Sequence, residues 1–376
     1  MVHNGVQLSL MIGPCVPVPA PREVIDALTG LEVTSASEGP SGFQLTFKLS
    51  ARSPLHTLFL LSAGAPIPMI RVIILATVNG NAEVLMDGVM THHAVSGGGT
   101  EGTTLRVTGE DLSRIMDYID FSGIPYPCLP PEARVAAIIS KYSVLGIIPM
   151  VLPSVLVDIP IPLNHIPQHR GTDLCYIRRL AEEVGYTFYV APGPRAGLNF
   201  AYWGPAFRLG RFQPSLNVDM DAHTNVESLS FEYDTDSATL PFVYLQEPST
   251  KAPLPVPIPD VSPLNPPLGL IPPIPKKIET YTTGTAKYSS VRAVLVGMAK
   301  RAKTAEAVTA TGTLQVARYG RLLKARRLVA VRGAGLAFDG LYFVKSVTHK
   351  MKRGEYSQDF TLVRNGLVST IRQVPT

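Results

Sequence analysis

Apolar side chains recur at every second position at both ends of this chain, and that period dictates strands there. In Gly42-Phe-Gln-Leu-Thr-Phe-Lys-Leu-Ser50, Phe43, Leu45, Phe47 and Leu49 fall on one face, and Gln44, Thr46 and Lys48 on the other. A helix would scatter these side chains around its axis; a pleated strand sorts them into a buried face and a wet one. Leu31-Glu-Val-Thr-Ser35 and Thr309–Val316 alternate in the same way. β-Branched Ile70–Val78 ends at Asn79-Gly80, a pair that accepts positive φ and so suits a two-residue hairpin. Ala82–His92 reads as the return strand, with Asp87-Gly88 as a bulge or turn candidate, and Thr103–Gly109 continues the meander. The C-terminal part repeats this layout. Arg327–Arg332 and Gly340–His349 flank a turn at Phe338-Asp339-Gly340, and Ser357–Arg364 follows Gly354 and ends at Asn365-Gly366.

Helical signals interrupt the strands. Asp111–Tyr118 opens on acidic residues, and Pro131–Tyr142 opens on Pro130-Pro131 and places Val135, Ile138 and Ile139 on one face. A third helix has Thr172 or Asp173 as its cap, a stripe of Leu174, Ile177, Leu180, Ala181 and Val184, and Gly185 as its stop. Tyr186–Val190 is the strand after it. Val226–Tyr233 and Leu240–Leu245 are further strands, and Ser289–Ala305 carries Val291, Leu295, Met298 and Ala302 at helical spacing. Between Lys251 and Pro275, ten of 25 residues are proline, which predicts an extended connector lying outside the sheets. The expected division is a first strand-rich unit over 1–110, an α/β insertion over 111–205, strands returning to the first region over 206–250, a proline-rich connector over 251–275 and a second strand-rich unit over 276–376.

The chain has 376 residues, of which 45% are hydrophobic and 17% charged, so it can bury a large core and has apolar surface to hide against partners. Its charge is divided. Residues 276–376 hold 19 Lys/Arg and 5 Asp/Glu, a net +14, whereas 1–275 are a net −9. Arg318, Arg321, Lys324, Arg326 and Arg327 cluster in the basic part and form a candidate charged docking or lumen face. Only Tyr319 interrupts them, so the stacking platform of a nucleic-acid binder is lacking. Cys15, Cys128 and Cys175 are odd in number and form no C-x-x-C pair, which argues against a disulfide framework or a zinc site. The two greasy runs, Leu55–Ile70 and Val144–Leu163, are broken by prolines, so no membrane span is expected.

Gly97-Gly-Gly-Thr-Glu-Gly102 matches G-x-G-x-x-G, but a strand is expected after it where a dinucleotide site needs a helix. His92 and His93 are adjacent on a strand and point to opposite faces, which is wrong for a shared metal. Glu182-Glu183 beside Arg178-Arg179 reads as a solvated, ion-paired helix face rather than a catalytic dyad. No G-x-S-x-G or H-E-x-x-H occurs. The residues point to neither an enzyme, a cofactor nor a metal.

Three segments in order resemble one family. Gly171-Thr-Asp-Leu-Cys-Tyr-Ile-Arg-Arg-Leu-Ala-Glu-Glu-Val-Gly-Tyr-Thr-Phe-Tyr-Val190 is similar to a stretch of the phage late control D and spike-hub (baseplate hub) family of contractile tails and injection systems. Asp339–His349 with Gly354-Glu-Tyr356 and Phe360–Gly366 resembles that family's last strands, and Gly42–Phe47 fits its first barrel. The resemblance implies a mainly β fold with an α+β insertion: two tube-like antiparallel β-barrel domains and a small α/β domain. It implies a homotrimer whose paired barrels make a pseudo-sixfold ring between a hexameric tail tube and a trimeric spike. Tail tube proteins, a separate spike protein and other baseplate proteins are the partners so implied, with assembly in the cytoplasm and nucleic acid only as passing cargo. Members that continue into an OB-fold and a β-helical spike differ from this chain, which is why a separate spike is expected. The alternative reading is a cell-wall hydrolase of a tail tip.

Overall fold

The computed structural model describes residues 2–3, 6–14, 16–50, 53–55, 58–59, 69–97, 102–154, 166–206, 208, 212–236, 239–246, 253–257, 266–274, 276–281 and 306–371. Strands dominate it. The N-terminal part supplies β1 (Val2–His3), β2 (Val6–Pro14), β3 (Val18–Pro19), β4 (Leu28–Ala36), β5 (Gly42–Leu49), β6 (Ile70–Val78), β7 (Asn81–Ser96) and β8 (Thr103–Asp111), with helix α1 (Arg22–Ala27) between β3 and β4. They pair in the order β1-β2-β6-β7-β8-β5-β4. Asn79 and Gly80 both take positive φ, 50° and 81°, so the expected hairpin forms. β7 does not turn at Asp87-Gly88. It runs straight through, because Gly88 lies so close to the Glu110 backbone of β8 that a Cβ would strike that carbonyl; the register slips at Leu85 instead.

An insertion follows. Leu112–Asp117 is a 3-10 helix rather than an α-helix, capped by Asp111, whose carboxylate accepts from Ser113 N at 2.8 Å and from Ser41 N at 3.0 Å. Helix α2 (Pro131–Ser140), strand β9 (Ile147–Val151), helix α3 (Asp173–Val184), and strands β10 (Thr187–Pro192) and β11 (Asn199–Gly204) complete it. The strands form a small sheet, β10-β11-β9, with β9 parallel to β11. Thr172 is the α3 cap and Gly185 ends the helix at φ 72°. The stripe of Leu174, Ile177, Leu180 and Ala181 packs with Val135, Ile138, Ile139 and Trp203 in a second core, which also takes in Val89 of β7.

The remaining strands are β12 (Phe212–Asn217), β13 (Ser228–Tyr233), β14 (Thr239–Gln246), β15 (Pro253–Pro257), β16 (Gly269–Ile271), β17 (Lys277–Tyr281), β18 (Val308–Gln315), β19 (Leu328–Arg332), β20 (Gly340–Lys352), β21 (Glu355–Arg364) and β22 (Leu367–Ser369). Six of them pair in the order β12-β19-β20-β21-β18-β13. β20 is the seam of the molecule. Its first residues, Gly340–Phe343, pair with β19, and Ser346–Lys352 pair with β4, so both strand sets belong to one continuous sheet. The change of partner falls at Lys345, where the β20–β21 register slips by one and the ammonium reaches Glu306 at 2.6 Å. One apolar core joins the sets, with Leu31, Leu45 and Phe47 from one side and Val347, Phe360 and Leu362 from the other.

The two sets share a wiring. Ranked by chain order within each set, β2, β4, β5, β6, β7, β8 and β12, β13, β18, β19, β20, β21 both lie in the spatial order 1-4-5-6-3-2. They differ in one sense of pairing: β2 is antiparallel to β6, and β12 parallel to β19.

The proline-rich segment corrects an expectation. It contributes β15 and β16 instead of staying outside the sheets. β15 is the edge of the sheet β15-β14-β17, with Leu254 opposite Leu245 and Val256 opposite Val243. Prolines at 253, 255 and 257 are spaced by two, so their missing donors all fall on the outer side, and Leu254 and Val256 keep theirs for β14. The helix expected over Ser289–Ala305 lies outside the described residues. Among the described residues no helix is long and apolar enough to cross a membrane.

Candidate functional site

The five basic residues singled out in the sequence separate into two groups. Arg318 lies on the one-turn helix Val316–Tyr319, Arg321 and Arg327 lie in the segment leading to β19, and all three are exposed. Lys324 is half-buried and pairs with Glu83 at 2.9 Å. Arg326 sits at φ 64°, its guanidinium 4.0 Å from the Tyr189 ring centroid and donating to the Ala36 carbonyl. Burial lowers its affinity for a proton, and Tyr189 and the Asp111 charge offset part of that cost. Arg326 thus ties β10 of the insertion to the end of β4, and the outward-facing charge is carried by Arg318, Arg321 and Arg327.

The other sequence candidates resolve locally. His92 is exposed and His93 half-buried on β7, and no group of three ligating side chains occurs among the described residues. Gly97 directly follows β7 and Gly102 directly precedes β8, its antiparallel partner, so the glycine run is followed by a strand. Arg179 and Glu183 face each other on α3 at 3.9 Å. Cys128 and Cys175 are free and exposed.

Two buried polar clusters escaped the sequence reading. In the insertion, His169 Nδ1 and the Tyr126 hydroxyl are 3.0 Å apart, and its Nε2 lies 3.4 Å from Asp173 Oδ1. The ring stacks on Tyr176 with centroids 4.3 Å apart. Asp173 Oδ2 accepts from the Tyr142 hydroxyl at 2.7 Å and from Lys141 Nζ at 2.6 Å. Burial is the main influence on His169 and outweighs the Asp173 charge, holding the imidazole below its usual pKa. His169 and Asp173 are both buried, and the cluster fastens the chain at 166–172 to α3. At the joint with the main sheet, Arg71 grips Asp87 with two bonds of 2.7 Å, and Asn199 Nδ2 donates to the same carboxylate at 2.7 Å. Strands β6 and β7 are thereby bolted to β11. Neither cluster shows in the sequence, because each draws on segments that are distant along the chain: 126, 141–142 and 169–176 in one, 71, 87 and 199 in the other.

No protein-family model matches this sequence, and no curated protein does. Solved structures match over the whole fold. A tail protein from Neisseria meningitidis MC58 is similar at a TM-score of 0.64 and 13% identity, over 97% of this chain and 98% of that one. The 43 kDa tail protein of prophage MuSo2 from Shewanella oneidensis is similar at a TM-score of 0.62 and 14% identity, over 96% and 98%. An E. coli component of the type VI secretion system, described as structurally similar to the T4 tail proteins gp27 and gp5, aligns at a TM-score of 0.50 and 12% identity, over 93% and 76%. The mainly β fold with its α/β insertion is therefore one that phage tail and secretion-system proteins share.

Proposed function

We propose that this chain is a structural baseplate hub: three copies form a pseudo-sixfold ring that joins a hexameric tail tube to a trimeric spike in a contractile phage tail or injection system. The observation that carries the reading is the repeated wiring 1-4-5-6-3-2 of two strand sets in one chain. Two equivalent tube-like modules per chain, times three chains, present six equivalent positions to a sixfold neighbour while keeping a threefold axis for the spike. The first module is built on 1–110. The second is built on 276–376 and takes β12 and β13 from the 206–250 segment, with the 111–205 insertion at the side. The similar fold of the tail proteins supports the assignment.

The task of such a ring is mechanical. Contraction thrust must pass from tube to spike, and a continuous hydrogen-bonded sheet resists shear better than loop contacts. Arg318, Arg321 and Arg327 face an acidic neighbour in this reading, either the tube or the −9 part of another copy. Charge reversal at Arg318, Arg321 and Arg327 tests that face; Arg326 does not, because its loss would damage the fold first. The ring itself is tested by the mass of the native oligomer: a three-chain species is expected. Clearing of a cell-wall suspension by the purified chain would overturn the structural reading in favour of a hydrolase.

A further inference from the structure

The repeat can be aligned residue by residue from its registers. In β7 the pairing with β8 slips at Thr91, and in β20 the pairing with β21 slips at Lys345. β6 ends opposite Val89 and β19 ends opposite Phe343, each two residues before the slip. Thr91 and Lys345 are thus equivalent. Following the rungs outward, His92–Thr108–Gln44–Glu32 in one set corresponds to Ser346–Thr361–Thr311–Ser230 in the other. This makes β13 the counterpart of β4.

The counterparts differ in one respect. Beyond Lys345, β20 is covered by β4, and Val347 and His349 are 0% and 5% exposed. Beyond Thr91, β7 has no partner on that side among the described residues, and Val95 is 48% exposed. Among the described residues β13 likewise pairs only with β18. Its outward groups are those the joint needs. Ser37 N donates to the Lys345 carbonyl at 2.7 Å, so the odd residues of β4 face β20; Asp234 N donates to the Ala307 carbonyl at 2.9 Å, so the even residues of β13 face β18 and the odd ones face out.

We infer that β13 of one copy pairs antiparallel with the Thr91–Gly97 edge of β7 in a second copy of this chain, in the register that β4 uses on β20. The template pairs Leu31–Met351, Val33–His349 and Ser35–Val347 become Leu229–Gly97, Phe231–Val95 and Tyr233–His93. Ala94 then stands opposite Glu232, and Ser96 opposite Ser230. Each copy offers one β13 and one β7 edge, so the contact is head-to-tail, and in the three-copy assembly proposed above it closes the ring. In-chain and between-chain joints alternate and are alike, which turns three chains into six matched positions. The inference rests on the ring proposed above and supplies its interface.

Neither edge carries the proline or lysine with which proteins usually protect an open strand, and β15 shows that this chain uses proline guards elsewhere. The test is disulfide trapping in the full chain carrying Cys15→Ser, Cys128→Ser and Cys175→Ser. Ala94→Cys with Glu232→Cys places two thiols at a non-hydrogen-bonded site, where cross-strand disulfides fit. Mild oxidation is expected to give a covalent three-chain species, whereas Ala94→Cys with Phe231→Cys, on opposite faces, gives none. Val95→Pro removes a donor that faces the open edge and spares the ladder to β8. It is expected to keep the circular dichroism of the parent and lose the three-chain mass. A three-chain mass that survives Val95→Pro and is not trapped by the Ala94/Glu232 pair overturns this joint and leaves the ring standing. A single-chain mass at every concentration overturns both.

Discussion

His349 lies on β20 opposite Val33 of β4, at the seam between the two strand sets, and 5% of it is exposed. Its Nδ1 is 2.8 Å from the Tyr356 hydroxyl, and Gln358 Nε2 approaches at 3.3 Å. Burial, aided by the Lys324 charge, pushes its pKa down to about 4. An unfolded chain takes up this proton near pH 6.5, and the folded chain does so only near pH 4. The contribution of this group to stability is therefore flat above pH 6.5 and falls as pH drops through that window, by about 3 kcal/mol. His349→Gln removes the titration. Urea unfolding at a series of pH values is expected to show the parent losing stability between pH 6.5 and 4 by that margin relative to the variant. Equal slopes would mean the seam admits the charge. At this scale the sequence was least informative. The basic cluster was visible, but Arg326 and Arg321 look alike in a string, and only the Tyr189 ring and the Ala36 carbonyl distinguish the half-buried clamp from the exposed charge.

Helix α3 is the element most completely written in its own residues. Thr172, the apolar stripe and Gly185 are local signals, and each does in the structure what its chemistry suggests. Thr172 Oγ1 accepts from Cys175 N at 3.3 Å and donates to Asp117 at 2.7 Å, so one hydroxyl caps α3 and holds the neighbouring 3-10 helix. Thr172→Ala is expected to cost about 1–2 kcal/mol in chemical denaturation, and Thr172→Ser to retain most of it, since Ser keeps the acceptor and donor. The hairpin at Asn79-Gly80 was legible for the same reason, a conformational demand met by two adjacent residues. Partner choice was not. Alternation says that a strand has a wet and a dry face, but nothing in Gly340–Lys352 announces that its halves pair with different strands. Proline misled because its count suggested a connector, whereas its spacing of two is what an edge strand tolerates.

Among the described residues there are two main apolar cores, one shared by both strand sets and one in the insertion that also takes in Val89 of β7. Separate cores invite separate unfolding unless something couples them. A buried polar tie between them is the Arg71–Asp87–Asn199 cluster, with the Arg71 and Asp87 side chains 5% and 0% exposed. Breaking a buried pair of this kind by removing one partner costs about 3–5 kcal/mol, because the other charge is left unpaired. The chain's single tryptophan, Trp203, is fully buried in the insertion core, so its fluorescence reports that core, while far-ultraviolet circular dichroism reports chiefly the large sheet. In the parent the two signals are expected to move together through one urea transition. In Asp87→Ala the Trp203 transition is expected to fall to lower urea than the dichroism, since the insertion loses its bolt while the β4–β20 seam stays intact. A common shift of both signals would show that the cores are coupled through the sheet itself, and the insertion would then be part of the load path between tube and spike rather than a side domain.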